Sequence, residues 1–323
     1  MVEISMLGSG SGMNPDLGNT SFLVSEKNEA NLLIDCGFRV PQVLSERQII
    51  KNIEHIAITH THSDHIGGLE LLGFFKYFAP KSISGKKPTL YLPSENMKNT
   101  LWEHTLRGGM GFSRSGEHKF PYKTKNIETN RPKVLMEEEG LTVHGKNLNK
   151  GNDLFGEIYG LIGPGRNLED YFNIKIGKEH SINGKNIEFF ETPHTRGLEN
   201  YGLKIKTDNA YVFYSGDTIA SPGKLDADVI IQDLQFLDFN INPKTKEVNL
   251  KSCNNAHTTL REITNPEYME YIGEKQRSKT YFTHLWTGHK QRNNDPKKCG
   301  YAGFLLPGDH LRVKNNDHRL IGR

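Results

Sequence analysis

Apolar positions along the chain fall in short runs separated by glycine, proline or polar clusters, the texture of strands and loops more than of long helices. Residues 2–7 (Val-Glu-Ile-Ser-Met-Leu) predict a first strand, Gly8-Ser-Gly10-Ser-Gly12 a loop, and residues 19–24 a returning strand. Residues 31–35 predict a third strand ending on Asp35. The run Ile56-Ala-Ile-Thr predicts a buried fourth that delivers His60. Gly67-Gly68-Leu69 then opens a helix to Tyr77. From about residue 80 to 180 the texture changes to lysine- and glycine-rich pieces with no sustained helical period beyond residue 106, which predicts hairpins and loops. Strands resume at 187–192, 201–205, 210–215, 228–232, 279–283 and 311–313, with helices near 258–262 and 266–272. The order predicts a layered α/β domain, two mixed sheets lying inside helices.

Composition narrows the class. A chain of 323 residues, 35% hydrophobic, can bury a substantial core as one domain. A mean hydropathy of -0.61 and the lack of a long apolar run argue against a membrane span. The first residues carry an acid where a secretory signal carries basic residues. The cysteines Cys36, Cys253 and Cys299 form no Cys-x-x-Cys pair, so a cytoplasmic location is expected. The 41 Lys and Arg against 38 Asp and Glu give a net charge of +3, too little to announce a nucleic-acid surface. The 14 histidines matter more, because histidine is the commonest metal ligand.

Those histidines concentrate in His60-Thr-His62-Ser-Asp64-His65-Ile-Gly-Gly, placed after an apolar strand and before a helix. A tight loop there can aim several side chains at one spot, and imidazoles with a carboxylate suit zinc or a similar first-row ion. No cysteine lies nearby for a structural zinc finger, and the helical His-Glu-x-x-His pattern is absent. The glycine-rich start is no dinucleotide fingerprint, since a strand and not a helix follows it.

The run resembles the His-x-His-x-Asp-His signature of the metallo-β-lactamase superfamily. That family places three further ligands at strand ends, and Thr192-Pro-His194, Ser215-Gly-Asp217-Thr and Thr283-His284 follow in order. The resemblance implies an αβ/βα sandwich with an insert, about residues 80–180, between the first and second ligand motifs. It implies two zinc ions, with manganese or iron as alternatives: His60, His62 and His194 on one, Asp64, His65 and His284 on the other, Asp217 bridging. Asp64 is also placed to orient or deprotonate the attacking water. Asp35 either hydrogen-bonds a ligand histidine or initiates a turn.

Further motifs point to a branch. The opening Leu7-Gly-Ser-Gly-Ser-Gly-Met-Asn-Pro-Asp-Leu-Gly-Asn19 is similar to that of ribonuclease-Z-like proteins, and Ala256-His257-Thr-Thr stands where they carry His-Ser-Thr. The resemblance makes His257 a candidate general acid or phosphate contact; the other reading is the environment of a helix cap formed by Thr258 or Thr259. Only 22 residues separate His194 from Asp217, so the tRNA-gripping arm of ribonuclease Z does not fit. Gly67-Gly-Leu-Glu-Leu-Leu-Gly-Phe-Phe-Lys-Tyr-Phe78 and Leu101-Trp-Glu-His-Thr-Leu-Arg-Gly-Gly-Met110 look like armless relatives, among them the anti-Pycsar hydrolases of cyclic nucleotides and the cyclic phosphate hydrolases of the carbon-phosphorus pathway. The expected activity is metal-dependent hydrolysis of a phosphodiester in a small or cyclic nucleotide by a hydroxide held between two zincs. RNA processing, or carboxyl-ester, thioester or lactone hydrolysis on the same site, is the alternative. On this reading Arg107, Arg114, Arg166, Tyr171 and Phe172 of the insert cover the site, where arginine meets phosphate and aromatics stack a base. The family resemblance also implies a homodimer.

Overall fold

The computed structural model describes residues 1–26, 31–111, 166–219, 221–235, 257–286, 295–314 and 317–321, with the backbone of three strands between residues 134 and 148. The chain forms two compact units, Met1–Leu101 with Tyr171–Arg323, and Trp102–Asp170.

Strands in the first part of the chain are β1 (Val2–Gly8), β2 (Ser21–Glu26), β3 (Asn31–Ile34), β4 (Ile53–Ala57) and β5 (Thr89–Leu92). The smaller unit carries β6 (Val134–Glu137), β7 (Gly140–Val143) and β8 (Lys146–Leu148), an antiparallel set. Then come β9 (Asn173–Ile176), β10 (Glu179–Ile182), β11 (Lys185–Glu191), β12 (Tyr201–Lys206), β13 (Tyr211–Tyr214) and β14 (Val229–Asp233). The last are β15 (Thr280–Thr283), β16 (Gly303–Phe304), β17 (His310–Lys314) and β18 (Asp317–Leu320).

Two mixed sheets build the larger unit, as the pattern predicts. One runs β18-β17-β1-β2-β3-β4-β5-β9 and the other β10 through β16 in chain order. Each turns from antiparallel to parallel pairing partway across, at β3–β4 and at β13–β14. Burial explains the sequence patterns. All five residues of β14 are buried between parallel neighbours, hence its unbroken Val-Ile-Ile. By contrast β11 buries Lys185, Ile187 and Phe189 in alternation, a strand with one covered face. The sheets meet face to face, with Phe22 of β2 edge-on to Tyr214 of β13 at 5.1 Å.

Helices cover the outer faces. Leu69–Phe78 buries Leu69, Leu72, Gly73 and Lys76, the spacing of one helical face. Behind the second sheet, Leu260–Ile263 and Pro266–Arg277 bring Leu260, Ile263 and Ile272 against Phe282, Leu285 and Tyr301. Thr259 opens the first of these with a capping box to Glu262, and Asn265 with Pro266 starts the second. Among the described residues no helix is long and apolar enough to cross a membrane.

Within the stretch 80–180, β5 and β9 pair in parallel as the edge of the first sheet. This placement corrects the expectation for Tyr171 and Phe172. Both are buried, Tyr171 packing against Phe74 and Tyr77 at ring distances of 5.7 and 5.2 Å. They are core residues, closed to a nucleobase. Arg107 pairs with Glu103 one helical turn away, and Arg114 lies outside the described residues.

Candidate metal centre

The first motif is built from β4 outward. The chain leaves the buried strand through Ile58 and Thr59, turns at His60, and enters the short helix Ser63–Ile66 that carries Asp64 and His65. Asp35 holds this turn. Fully buried at the end of β3, it accepts from the Thr59 N–H and hydroxyl, both at 2.8 Å, and lies 2.9 Å from His65 Nδ1. Its φ of 57° is a left-handed value that aspartate tolerates better than most residues. Of the two sequence readings of Asp35, these contacts favour the partner of a histidine: Nδ1 of His65 is engaged and Nε2 is left facing the centre.

The downstream residues arrive from the second sheet. β11 ends ahead of Pro193-His194, β13 ahead of Ser215-Gly216-Asp217, and β15 ahead of His284. Residues at the carboxyl ends of parallel strands line the crevice in sheets of this kind. The turn before Asp217 needs glycine: Gly216 has a φ of 61°, and a Cβ there would lie 2.3 Å from the Tyr201 carbonyl oxygen. Asn200 Nδ2 donates to the Asp217 carbonyl at 2.6 Å and Thr258 Oγ1 to that of Thr218 at 3.0 Å.

Asp217 Oδ2 is the hub. It lies 3.2 Å from His284 Nε2, 3.3 Å from His65 Nε2, 3.7 Å from His60 Nε2, and 3.9 Å from both His194 Nε2 and His257 Nδ1. His194 Nε2 also lies 3.2 Å from His62 Nδ1, and Asp64 Oδ2 3.7 Å from His65 Nε2. Donor atoms of His60, His62, His194 and Asp217 fall within 4.8 Å of one another, and so do those of Asp64, His65 and His284. The structure thus brings together all seven candidate ligands and His257.

Electrostatics follow from this crowding. Burial favours the protonated form of Asp217, but His284, His65 and His60 outweigh it and hold the carboxyl well below its usual range. Burial opposes charge on His65, yet Asp217, Asp64 and Asp35 keep its pKa well above the usual imidazole value. Burial pushes His284 down to about 3 and His60 well below normal. The buried atoms His60 Nε2, His65 Nε2 and Asp217 Oδ1 have no hydrogen-bond partner among the described residues. Leaving such groups unsatisfied costs about 1–3 kcal/mol each. Imidazole nitrogens and ionised carboxylates converging on one spot are the donor chemistry of zinc and neighbouring first-row ions. The residues present fit a divalent metal.

Sequence reading missed Asp233. Its carboxylate lies 2.9 Å from His257 Nδ1 and accepts from the Thr218 N–H at 2.9 Å. Although burial opposes charge on His257, Asp233 and Asp217 raise it to about 9. The available signal was an acid closing an apolar strand, as at Asp35. The strand expected at 228–232 runs one residue further, to Asp233. His257 and the Thr259 cap coexist: the histidine faces Asp217 while Thr259, two residues on, opens the helix.

Two mixed sheets in this order, with such a donor set at the strand ends, define a metal-dependent hydrolase of the metallo-β-lactamase fold. The crystal structure of the metallo-β-lactamase fold protein YhfI from Bacillus subtilis superposes with a TM-score of 0.56 at 14% identity, covering 96% of this chain and 98% of that one. The sequence also matches the family model for the anti-Pycsar protein Apyc1 over residues 2–149 and 146–310. The chain belongs to that family. The anti-Pycsar protein Apyc1 of Bacillus phage vB_BsuM-Goe3 is 27% identical over 292 residues, 87% of this chain and 88% of the relative. That of Bacillus phage BSP38 is 42% identical over 112 residues, 34% of this chain and 42% of the relative.

Proposed function

We propose that the protein hydrolyses a phosphodiester bond in a small, cyclic nucleotide, using two divalent metal ions, zinc by default and manganese or iron as alternatives. His60, His62 and His194 would hold one ion and Asp64, His65 and His284 the other, with Asp217 within reach of both. The observation that carries this reading is the ring of imidazole nitrogens from five residues within 4 Å of Asp217 Oδ2. When bound, a metal pair supplies a water of lowered pKa and neutralises charge developing on the phosphoryl oxygens.

The chain's own residues do the rest. Asp64, on the edge of the cluster, orients the attacking water and accepts its proton. His257, with Nδ1 held by Asp233, keeps its ring fixed and gives a proton from Nε2 to the leaving oxygen, the arrangement a general acid requires. Family membership supports a cyclic nucleotide as the substrate. The same reading takes the protein as a homodimer of the cytoplasm, with a mass measurement in solution as the check.

Two substitutions test the roles. Asp217→Ala should lose bound metal and hydrolysis together, and retained activity would overturn the shared-ligand assignment. His257→Ala should keep metal and lose turnover by about 10²–10⁴-fold. An unchanged rate would return His257 to a structural role.

A further inference from the structure

The glycine-rich loop after β1 touches the metal centre at two places. The Gly12 N–H donates to Asp64 Oδ2 at 2.9 Å. That oxygen also faces His65 Nε2 at 3.7 Å and His284 Nε2 at 4.0 Å. Gly12 is close enough that a Cβ there would lie 3.3 Å from both Cγ and Oδ2 of Asp64. The same loop is laced to the residues after His284. Leu285 N donates to the Ser9 carbonyl at 2.8 Å, Ser11 N to the Leu285 carbonyl at 3.0 Å, and Asn14 Nδ2 to the carbonyls of Leu285, at 3.1 Å, and Trp286.

These contacts matter because His284 is strained. Its φ of 61° is a left-handed value that a non-glycine residue holds only where its surroundings over-determine it. The hydrogen bonds through Leu285 supply that constraint. The loop is itself anchored, Ser9 N donating to the Leu17 carbonyl and Gly10 N to that of Gly18, both at 3.0 Å. One rigid loop therefore fixes the carboxylate of Asp64 and the backbone of His284. His60 and His62 precede Asp64 on the same turn and His194 follows β11, but the Gly12 and Asn14 hydrogen bonds end on Asp64 and on the residues after His284.

We infer that residues 9–14 form a bracket that sets the divalent-metal affinity of the Asp64–His65–His284 half of the centre, selectively over the His60–His62–His194 half. The inference rests on the two-metal reading proposed above. Gly12 and Asn14 are positioning residues: one orients a ligating carboxylate through its outer hydrogen bond, the other pins the segment carrying a ligating histidine. Outer partners of this kind alter metal affinity by about 10- to 100-fold.

The test is a zinc titration of the full chain against a chromophoric chelator, for the wild type, Gly12→Ala and Asn14→Leu. Melts of the metal-free proteins verify folding. Gly12 is exposed, and Asn14→Leu keeps the side-chain size and branching while removing the donor without adding charge, so the second variant reads the same bracket if the first folds poorly. The wild type should take up two equivalents. In each variant one equivalent should weaken by about 10- to 100-fold while the other keeps its affinity. Placed on His194→Ala, which removes a donor from the other half, Gly12→Ala should weaken the remaining equivalent. Unchanged affinities, or equal weakening of both equivalents, would overturn the bracket. A wild-type protein that binds only one equivalent would overturn the two-metal reading instead.

Discussion

Asp35→Asn isolates the contribution of one buried charge to the metal centre. Asparagine tolerates the left-handed backbone at this position as aspartate does, so the fold should survive. The carboxylate accepts three hydrogen bonds, from Thr59 N, Thr59 Oγ1 and His65 Nδ1. An amide oxygen kept on the Thr59 N–H leaves the NH₂ group facing the hydroxyl and the imidazole. The hydroxyl can rotate to accept, but His65 can accept only if its proton moves from Nδ1 to Nε2. Nε2 is the atom 3.3 Å from Asp217 Oδ2, and once protonated it cannot ligate. Otherwise Nδ1–H and the amide donor confront each other. Either way a charge-assisted bond worth about 1.5–3 kcal/mol disappears. At 1.4 kcal/mol per decade, that is about a 10- to 100-fold loss of metal affinity. A chelator competition titration at neutral pH reads the loss directly, with melts of the metal-free protein separating it from general destabilisation. An affinity equal to wild type would refute the reasoning, since it would mean that Asp35 does not set the His65 tautomer.

Two further outcomes follow, one from a buried lysine away from the ligands and one from the turn before Asp217. Lys76 lies on the buried stripe of the helix Leu69–Phe78, donating to the Lys51 carbonyl at 3.3 Å, and burial pushes its ammonium down to about 8 from 10.5. The unfolded chain then binds the proton more tightly, so stability is lowest below pH 8 and rises from there to about pH 10.5. Lys76→Met should remove a penalty of up to about 3 kcal/mol, less roughly 1 kcal/mol for the lost hydrogen bond. The gain in melting temperature should be full at pH 7 and give way above pH 10.5 to a small loss, where the neutral amine keeps its hydrogen bond; a gain independent of pH would contradict this. Gly216→Ala forces a Cβ to within 2.3 Å of a backbone oxygen at a left-handed φ. It should cost about 2 kcal/mol or more in urea unfolding, and an unchanged midpoint would show that the turn before Asp217 is not tight.

Much of the framework was legible because it repeats one device: a buried apolar strand ending on a polar ligand. Ile56-Ala-Ile-Thr before His60, residues 210–215 before Asp217 and residues 279–283 before His284 all carry it, and the structure brings their ends together. Asp233 uses the same device, but it is itself the last residue of its strand and the apolar Leu234 follows it, so its sequence context does not separate it from the strand. Tyr171 and Phe172 failed for a different reason. Glu169, Asp170 and Asn173 beside them lower any estimate of burial from sequence, and the partners that cover Tyr171, Phe74 and Tyr77, lie about a hundred residues earlier in the chain. The backbone donor of Gly12 leaves no trace in residue type at all. A main-chain N–H belongs to every residue but proline, and its direction is fixed only once the loop is folded against Leu285.

Phosphodiesterase turnover on a panel of cyclic mononucleotides, with and without chelator, tests the central claim most directly. The account predicts hydrolysis of at least one ring class, abolished by chelator and restored by zinc or manganese. No cyclic nucleotide turnover by metal-loaded protein, with cleavage of RNA ends or of carboxyl esters in its place, would contradict it.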